Sequence, residues 1–192
     1  MSAEGPSASR SAAARNLIWP SLRDAARAFC PPFEVVEERP GGLAVLLRTP
    51  DGAEELTLRY RSERGLFLRT YYLVIEAELA GEGPTEAGTL VLSRRKLRWR
   101  RPKPLDGERW SEAMSSPDVR AALKPLQVER LDLAWDPAPR RWSLSLKTLC
   151  GSVTVTFFPP LATPNPFLRR EAQAVEALVR ELRRGAQTRT PA

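Results

Sequence analysis

A run of basic residues at positions 94–103 is the strongest chemical signal in this sequence. Seven of its ten residues are Arg or Lys, and no acidic residue lies between Ala87 and Leu105. In a β-strand, successive side chains on one face are about 6.5–7 Å apart, close to the phosphate spacing of a nucleic-acid strand. The run therefore predicts a surface that binds nucleic acid or another polyanion. The candidate anion-binding residues are Arg94, Lys96, Arg98, Arg100 and Arg101, with Arg59 and Arg61 as neighbours if their strand lies alongside.

The same basic run is open to other interpretations. A row of charged side chains also keeps an exposed or edge strand from pairing with other chains. An anionic small ligand or an acidic protein partner would suit the cations too, and the chain could act as an interaction subunit of a larger assembly. The net charge of +7 does not decide between these possibilities. Only four of the thirty basic residues are lysine, and such a bias towards arginine is typical of a GC-rich genome.

Catalytic chemistry has little support in the sequence. The chain contains no histidine, which removes the usual general base near neutral pH and the commonest metal ligand. It has no Gly-rich phosphate-binding motif, and Ser93 and Lys96 match S-x-x-K on a predicted strand rather than at a helix start. Glu76 and Glu78 share one face of a predicted strand. Two carboxylates there could bind a metal or, if they face inward, act as an acid/base pair, and solvated charges explain them equally well. We expect no recognised catalytic motif, no cofactor and no metal.

Aromatic and apolar residues offer a second kind of binding site. A curved sheet with a long helix across it can enclose an apolar cavity that holds a small ligand. Most of the five tryptophans lie at inward strand positions and are expected in the core, whereas Trp110 falls in an irregular segment and could line a pocket mouth. The residues expected to line such a cavity are Trp110, Tyr71, Leu73, Trp135 and Val175.

Length and composition indicate one ordinary globular domain. The chain has 192 residues, of which 42% are hydrophobic and 28% charged, enough to bury a core without disulfides. Its two cysteines, Cys30 and Cys150, sit beside apolar residues, so they are expected to be buried thiols or to form a single disulfide. The N-terminus lacks a signal-peptide core, and no apolar run is long enough to span a membrane. We therefore expect a soluble, cytoplasmic protein without a membrane partner.

Hydrophobic periodicity predicts an α+β domain over residues 16–185, with a disordered arm at 1–15 and a tail at 186–192. Ser21 is expected to cap a first helix that ends before Pro31. Ser116 and Pro117 are expected to begin a second helix. Asn165 and Pro166 are expected to begin a third helix, which runs to Arg184. Between the helices we predict a curved antiparallel sheet of about seven or eight strands with all helices on one face. The predicted strands are 33–39, 43–49, 54–61, 66–79, 89–101 and 126–135, with further inward rows at Trp142, Leu144 and Leu146 and at Val153, Val155 and Phe157.

The two halves of the chain share an order of elements. The segments 21–26 and 117–122 each open a helix that leads through a proline into an antiparallel meander, which suggests a pseudo-repeat. The segment from about Ser116 to Leu182 also resembles a family of uncharacterised bacterial proteins. The resemblance is carried by residues 118–126, by residues 141–144, and by residues 155–160, which lead into the last helix. No function is established for that family, so the resemblance implies a fold repeat and nothing about chemistry.

Overall fold

The fold is an eight-stranded antiparallel sheet with three α-helices in the part of the chain that is described. The computed structural model describes residues 6–83, 87–93, 114, 116–156, 159 and 161–187. The helices are α1 (Pro6–Ala28), α2 (Pro117–Leu123) and α3 (Arg169–Gln187). The strands are β1 (Glu34–Arg39), β2 (Ala44–Arg48), β3 (Glu55–Arg64), β4 (Leu68–Ala80), β5 (Gly88–Ser93), β6 (Val128–Asp136), β7 (Arg141–Thr156) and β8 (Ala162–Pro164). The predicted fold class is confirmed.

The sheet joins two meanders at its centre. The strand order is β1-β2-β3-β4-β7-β6-β5, and every neighbouring pair is antiparallel. The first four strands follow one another directly, whereas β4 pairs with β7 across a long stretch of sequence. On its other side, β7 pairs first with β6 and then, over its last residues, with β8. The central β4–β7 pair thus holds the two halves of the chain together.

Alternating apolar residues give the sheet one buried face. Leu56, Leu58 and Tyr60 of β3 are buried, while the residues between them are half-buried. The same alternation runs through β4, β6 and β7. Helices α1 and α3 cover this face, and Phe29 after α1 stacks on Phe167 before α3 at 5.5 Å between ring centroids. No helix of the described ranges is both long and apolar enough to cross a lipid bilayer.

Helix α1 is longer than the sequence pattern indicates. We expected a start at Ser21, but the helix begins at Pro6, inside the segment predicted as a disordered arm. The extension contains Ala8 and Ala12–Ala14, and alanine favours a helix without any apolar stripe. Helix α2 begins as predicted, since the Ser116 hydroxyl accepts a hydrogen bond of 3.2 Å from the Val119 N–H.

Helix α3 begins and ends differently from the prediction. The Asn165 side chain does not cap it but donates to the Leu149 carbonyl. The Glu171 carboxylate instead accepts a hydrogen bond of 2.9 Å from the Leu168 N–H at the helix start. At the other end the helix continues through Gly185 to Gln187.

Strand β7 replaces two predicted strands. The inward rows around Leu144 and Val153 belong to one sixteen-residue strand, because the chain between them forms a bulge and not a turn. Gly151 has φ of +78° there, a value that glycine adopts without steric cost. The buried Thr148 hydroxyl donates to the Leu126 carbonyl and accepts a hydrogen bond of 3.0 Å from the Cys150 N–H. The Thr148 hydroxyl thus supplies an acceptor for one N–H of the bulge, that of Cys150.

Candidate binding surface on the open sheet face

The second face of the sheet carries charged and polar side chains. Strand pairing places Arg59 opposite Val74, Val74 opposite Lys147, and Lys147 opposite Arg130. Arg59, Lys147 and Arg130 therefore form one line across four strands, which we call the cationic row. Neighbouring strands are about 4.8 Å apart, so the row is about 14 Å long.

Each member of the cationic row contacts a carboxylate. Arg59 pairs with Glu76, and Arg61 reaches the same Glu76 oxygen at 3.4 Å. Two predicted candidates thus share one acidic partner. These contacts hold the cations in place and offset much of their charge.

The remaining two cations of the row are held in a similar way. Lys147 pairs with Glu63, and its ammonium lies 3.8 Å from the centre of the Tyr72 ring. Arg130 donates to Asp132 at 2.8 Å, and this hydrogen bond raises the pKa of the guanidinium. The open face is therefore an ordered array of ion pairs and not a bare positive surface.

Ser93, the residue that precedes the basic run in the sequence, lies at the end of this row. Ser93, the last residue of β5, pairs with Arg130 of β6. The chain that follows Ser93 therefore starts at the end of the cationic row. The other predicted anion-binding residues, Arg94, Lys96, Arg98, Arg100 and Arg101, lie outside the described residues, as does the predicted continuation of the strand from 94 to 101. Their role stays a prediction.

A polar depression of about 510 Å³ lies next to the cationic row. Its lining includes Thr57, Glu76, Glu78, Ser143 and Ser145. Glu76 and Glu78 share the open face, as their spacing predicted, and Glu78 pairs with Arg141 at 2.7 Å. In the described ranges, no three His, Cys, Asp or Glu side chains are placed to hold a metal ion. The two carboxylates at this depression, Glu76 and Glu78, are already engaged in ion pairs.

The residues predicted to line an apolar cavity are core side chains where they are described. Tyr71, Leu73, Trp135 and Val175 are buried in one continuous hydrophobic cluster. A Cβ atom at Gly151 would lie 2.7 Å from the Leu73 side chain, and one at Gly83 would overlap the Trp135 ring. These contacts show tight packing around Leu73 and Trp135. Trp110, the fifth candidate, lies outside the described residues.

Both cysteines are free thiols, so no disulfide links Cys30 and Cys150. Cys150 is buried and donates to the Pro125 carbonyl at 3.4 Å, whereas Cys30 is half-buried. Burial raises the pKa of each thiol, which keeps both in the less reactive protonated form near neutral pH.

The turn between β3 and β4 lies further along the chain than the sequence pattern predicts, which places it at residues 62–65. Leu66 and Phe67 form its apex and are 90% and 80% exposed. We call these two residues the distal tip. The sequence pattern instead predicts these two residues as the start of a long strand, because apolar residues at 66–68 continue the pattern of β4. Gly65 lies in the turn as predicted: its N–H donates to the Leu68 carbonyl at 2.8 Å and closes the hairpin, which leaves Leu66 and Phe67 outside the strands.

Comparison with known proteins assigns a family but no activity. A family model described as "Protein of unknown function (DUF3156)" matches residues 32–185, so the chain belongs to this family. The resemblance expected for the C-terminal half is confirmed and extends over most of the chain. No curated protein and no solved structure matches the chain.

Proposed function

We propose that this DUF3156 protein is a non-catalytic binding protein whose basic run and open sheet face bind a polyanion such as nucleic acid. The observation that carries the proposal is the pairing of Ser93 with Arg130. It places Ser93, the residue that precedes the basic run in the sequence, at the end of the cationic row. In this proposal the two groups of cations bind one polymer of phosphates together. A polyanion that neutralises these cations releases its own counterions, which favours binding at low salt.

The ion pairs of the cationic row are compatible with this function. The side chains of Arg59, Lys147 and Arg130 are between 21% and 56% exposed. Each of these ion pairs has one partner whose side chain is more than a third exposed, and exposed ion pairs contribute only about 0–1 kcal/mol. A phosphate can therefore compete with Glu76, Glu63 and Asp132. The basic run, which has no acidic residue within it, supplies most of the affinity in this proposal.

The test compares two triple variants that lose the same charge. Arg94→Gln/Lys96→Gln/Arg98→Gln removes three cations from the basic run. Arg120→Gln/Lys124→Gln/Arg180→Gln removes three exposed cations from α2, α3 and the residue after α2. Binding of a fluorescent single-stranded oligonucleotide and of heparin is measured over a range of salt concentrations.

We expect the basic-run variant to lose affinity for the oligonucleotide and the control variant to retain it. Each lost phosphate contact reduces the slope of log K against log salt by about 0.7, so three contacts reduce it by about 2. Equal loss in both variants would mean that net charge alone attracts the polymer. Heparin binding as tight as oligonucleotide binding would restrict the function to general polyanion binding.

A further inference from the structure

The distal tip is part of a larger exposed apolar patch at one end of the sheet. Leu68 is 39% exposed and pairs with Thr156 of β7. The Thr156 N–H donates to the carbonyl of Leu161, which is 57% exposed. Four large apolar side chains therefore lie together where β3, β4, β7 and β8 approach the same end of the sheet. Burial of one such side chain is favourable by about 1.5–3 kcal/mol, so burial of the whole patch against an apolar partner would be strongly favourable.

Two arginines flank the distal tip without acidic partners. Arg64 of β3 and Arg69 of β4 are directly opposite each other in the hairpin. Like charges in opposite positions destabilise a strand pair. In the described part of the chain neither arginine makes an ion pair, and Arg69 Nε is buried without a hydrogen-bond partner. The neighbouring Glu63 is engaged by Lys147. An external anion would relieve the repulsion between the two guanidinium groups.

The spacing between the apolar apex and the arginines fits a lipid bilayer. Arg64 lies two residues before Leu66, and Arg69 lies two residues after Phe67. A strand rises about 3.3 Å per residue, so the arginines stand about 7 Å behind the apex. Elements that bind at a membrane surface bury their apolar side chains about 5–10 Å into the boundary between the headgroups and the acyl chains. An apex inserted to that depth places both guanidinium groups among anionic headgroups.

We propose that the distal tip inserts into an anionic lipid bilayer, with Arg64 and Arg69 on the lipid phosphates. The exposed apolar apex together with two arginines that lack acidic partners among the described residues favours an anionic lipid surface as the partner. The proposal replaces the expectation of no membrane partner, because peripheral binding needs a few exposed apolar side chains and no spanning segment. It is independent of the proposed polyanion binding, which uses the open face of the sheet.

The test is co-sedimentation of the full chain with vesicles of two compositions at physiological salt. One set contains phosphatidylcholine alone, and the other contains phosphatidylcholine and phosphatidylserine. The variants are Leu66→Ser/Phe67→Ser and Arg64→Gln/Arg69→Gln. Val35→Ser/Val36→Ser is the matched apolar control, because these two residues are exposed on β1. The helix variant Arg120→Gln/Lys124→Gln is the matched charge control.

We expect the wild-type chain to bind the vesicles that contain phosphatidylserine. The distal-tip variant and the arginine variant should each weaken that binding about tenfold or more, and the two controls by less than about twofold. Circular dichroism and urea denaturation of each variant establish that it is folded.

Three results would overturn the proposal. They are equal binding to both vesicle types, unchanged binding by the folded distal-tip variant, and no binding by the wild-type chain. The last result would direct attention to a protein partner for the patch. A chain that binds vesicles but not oligonucleotide or heparin would refute the polyanion function alone, so the two proposals fail separately.

Discussion

Tyr60 places a phenol hydroxyl inside the core, where it donates a hydrogen bond of 2.7 Å to the Gly151 carbonyl. Replacement by phenylalanine keeps the ring but leaves that buried carbonyl without this donor. We expect Tyr60→Phe to lower the free energy of unfolding by about 1–2 kcal/mol at neutral pH, measured by urea denaturation. Unchanged stability would mean that the bulge in β7 does not depend on this bond.

The same side chain makes part of the stability pH-dependent. Burial, and to a smaller extent the Asp24 carboxylate, raise the pKa of Tyr60 well above its usual value. In the unfolded chain a tyrosine ionises near pH 10. The contribution of Tyr60 is therefore complete below about pH 10 and declines as the pH rises further, because only the unfolded state then releases the proton. The stability difference between the wild-type protein and Tyr60→Phe should shrink above pH 10, and a constant difference would contradict this argument.

At the scale of the element, strand β7 depends on one glycine. Gly151 and Gly52 both have positive φ, at +78° and +71°. A Cβ at Gly52 would meet nothing within 4 Å, whereas one at Gly151 would press on Leu73. We expect Gly52→Ala to cost about 1 kcal/mol for the backbone alone. Gly151→Ala should cost about 1–3 kcal/mol more, because it also overpacks the core. If both variants lose the same free energy of unfolding, measured by thermal or urea denaturation, the core around Leu73 rearranges to accommodate the added methyl group.

The sequence correctly predicted those elements that are determined by neighbouring residues in the chain. The alternation at Leu56, Leu58 and Tyr60 identified the buried face of β3, and Ser116 with Pro117 identified the start of α2. The pattern failed at Gly151, because a glycine after apolar residues indicates a turn as readily as a bulge. The pairing that decides between them, β7 with β4, joins residues far apart in sequence.

Surface chemistry was harder to predict than the fold. Arg59 and Arg61 lie on the open face as expected, yet both share Glu76, a residue on the neighbouring strand. The acidic partner becomes visible only when the register of β3 on β4 is known. Hydrophobic periodicity alone also assigns Leu66 and Phe67 to a strand, because they continue the apolar pattern of β4, whereas the strand pairing places them in the exposed turn.

At the scale of the whole molecule, one hydrophobic cluster contains residues from all three helices and from β2 through β7. Such a continuous core predicts one cooperative unfolding transition. Trp19 in α1 reports on the first half of the chain, and Trp135 and Trp142 report on the second. Urea transitions followed by tryptophan fluorescence and by far-ultraviolet circular dichroism should coincide. Separated midpoints would show that the two meanders unfold independently.

The central β4–β7 pair also has a consequence for synthesis on the ribosome. About 60 residues separate the end of β4 from the start of β7. At about 5–20 residues per second, β4 emerges about 3–12 s before its partner strand exists. During that interval the β1–β4 meander ends in an unpaired strand with Leu73, Ile75 and Leu79 on its apolar face. A nascent chain in this state is a template for pairing with its neighbours on a polysome, so slow translation of the second half favours aggregation over folding.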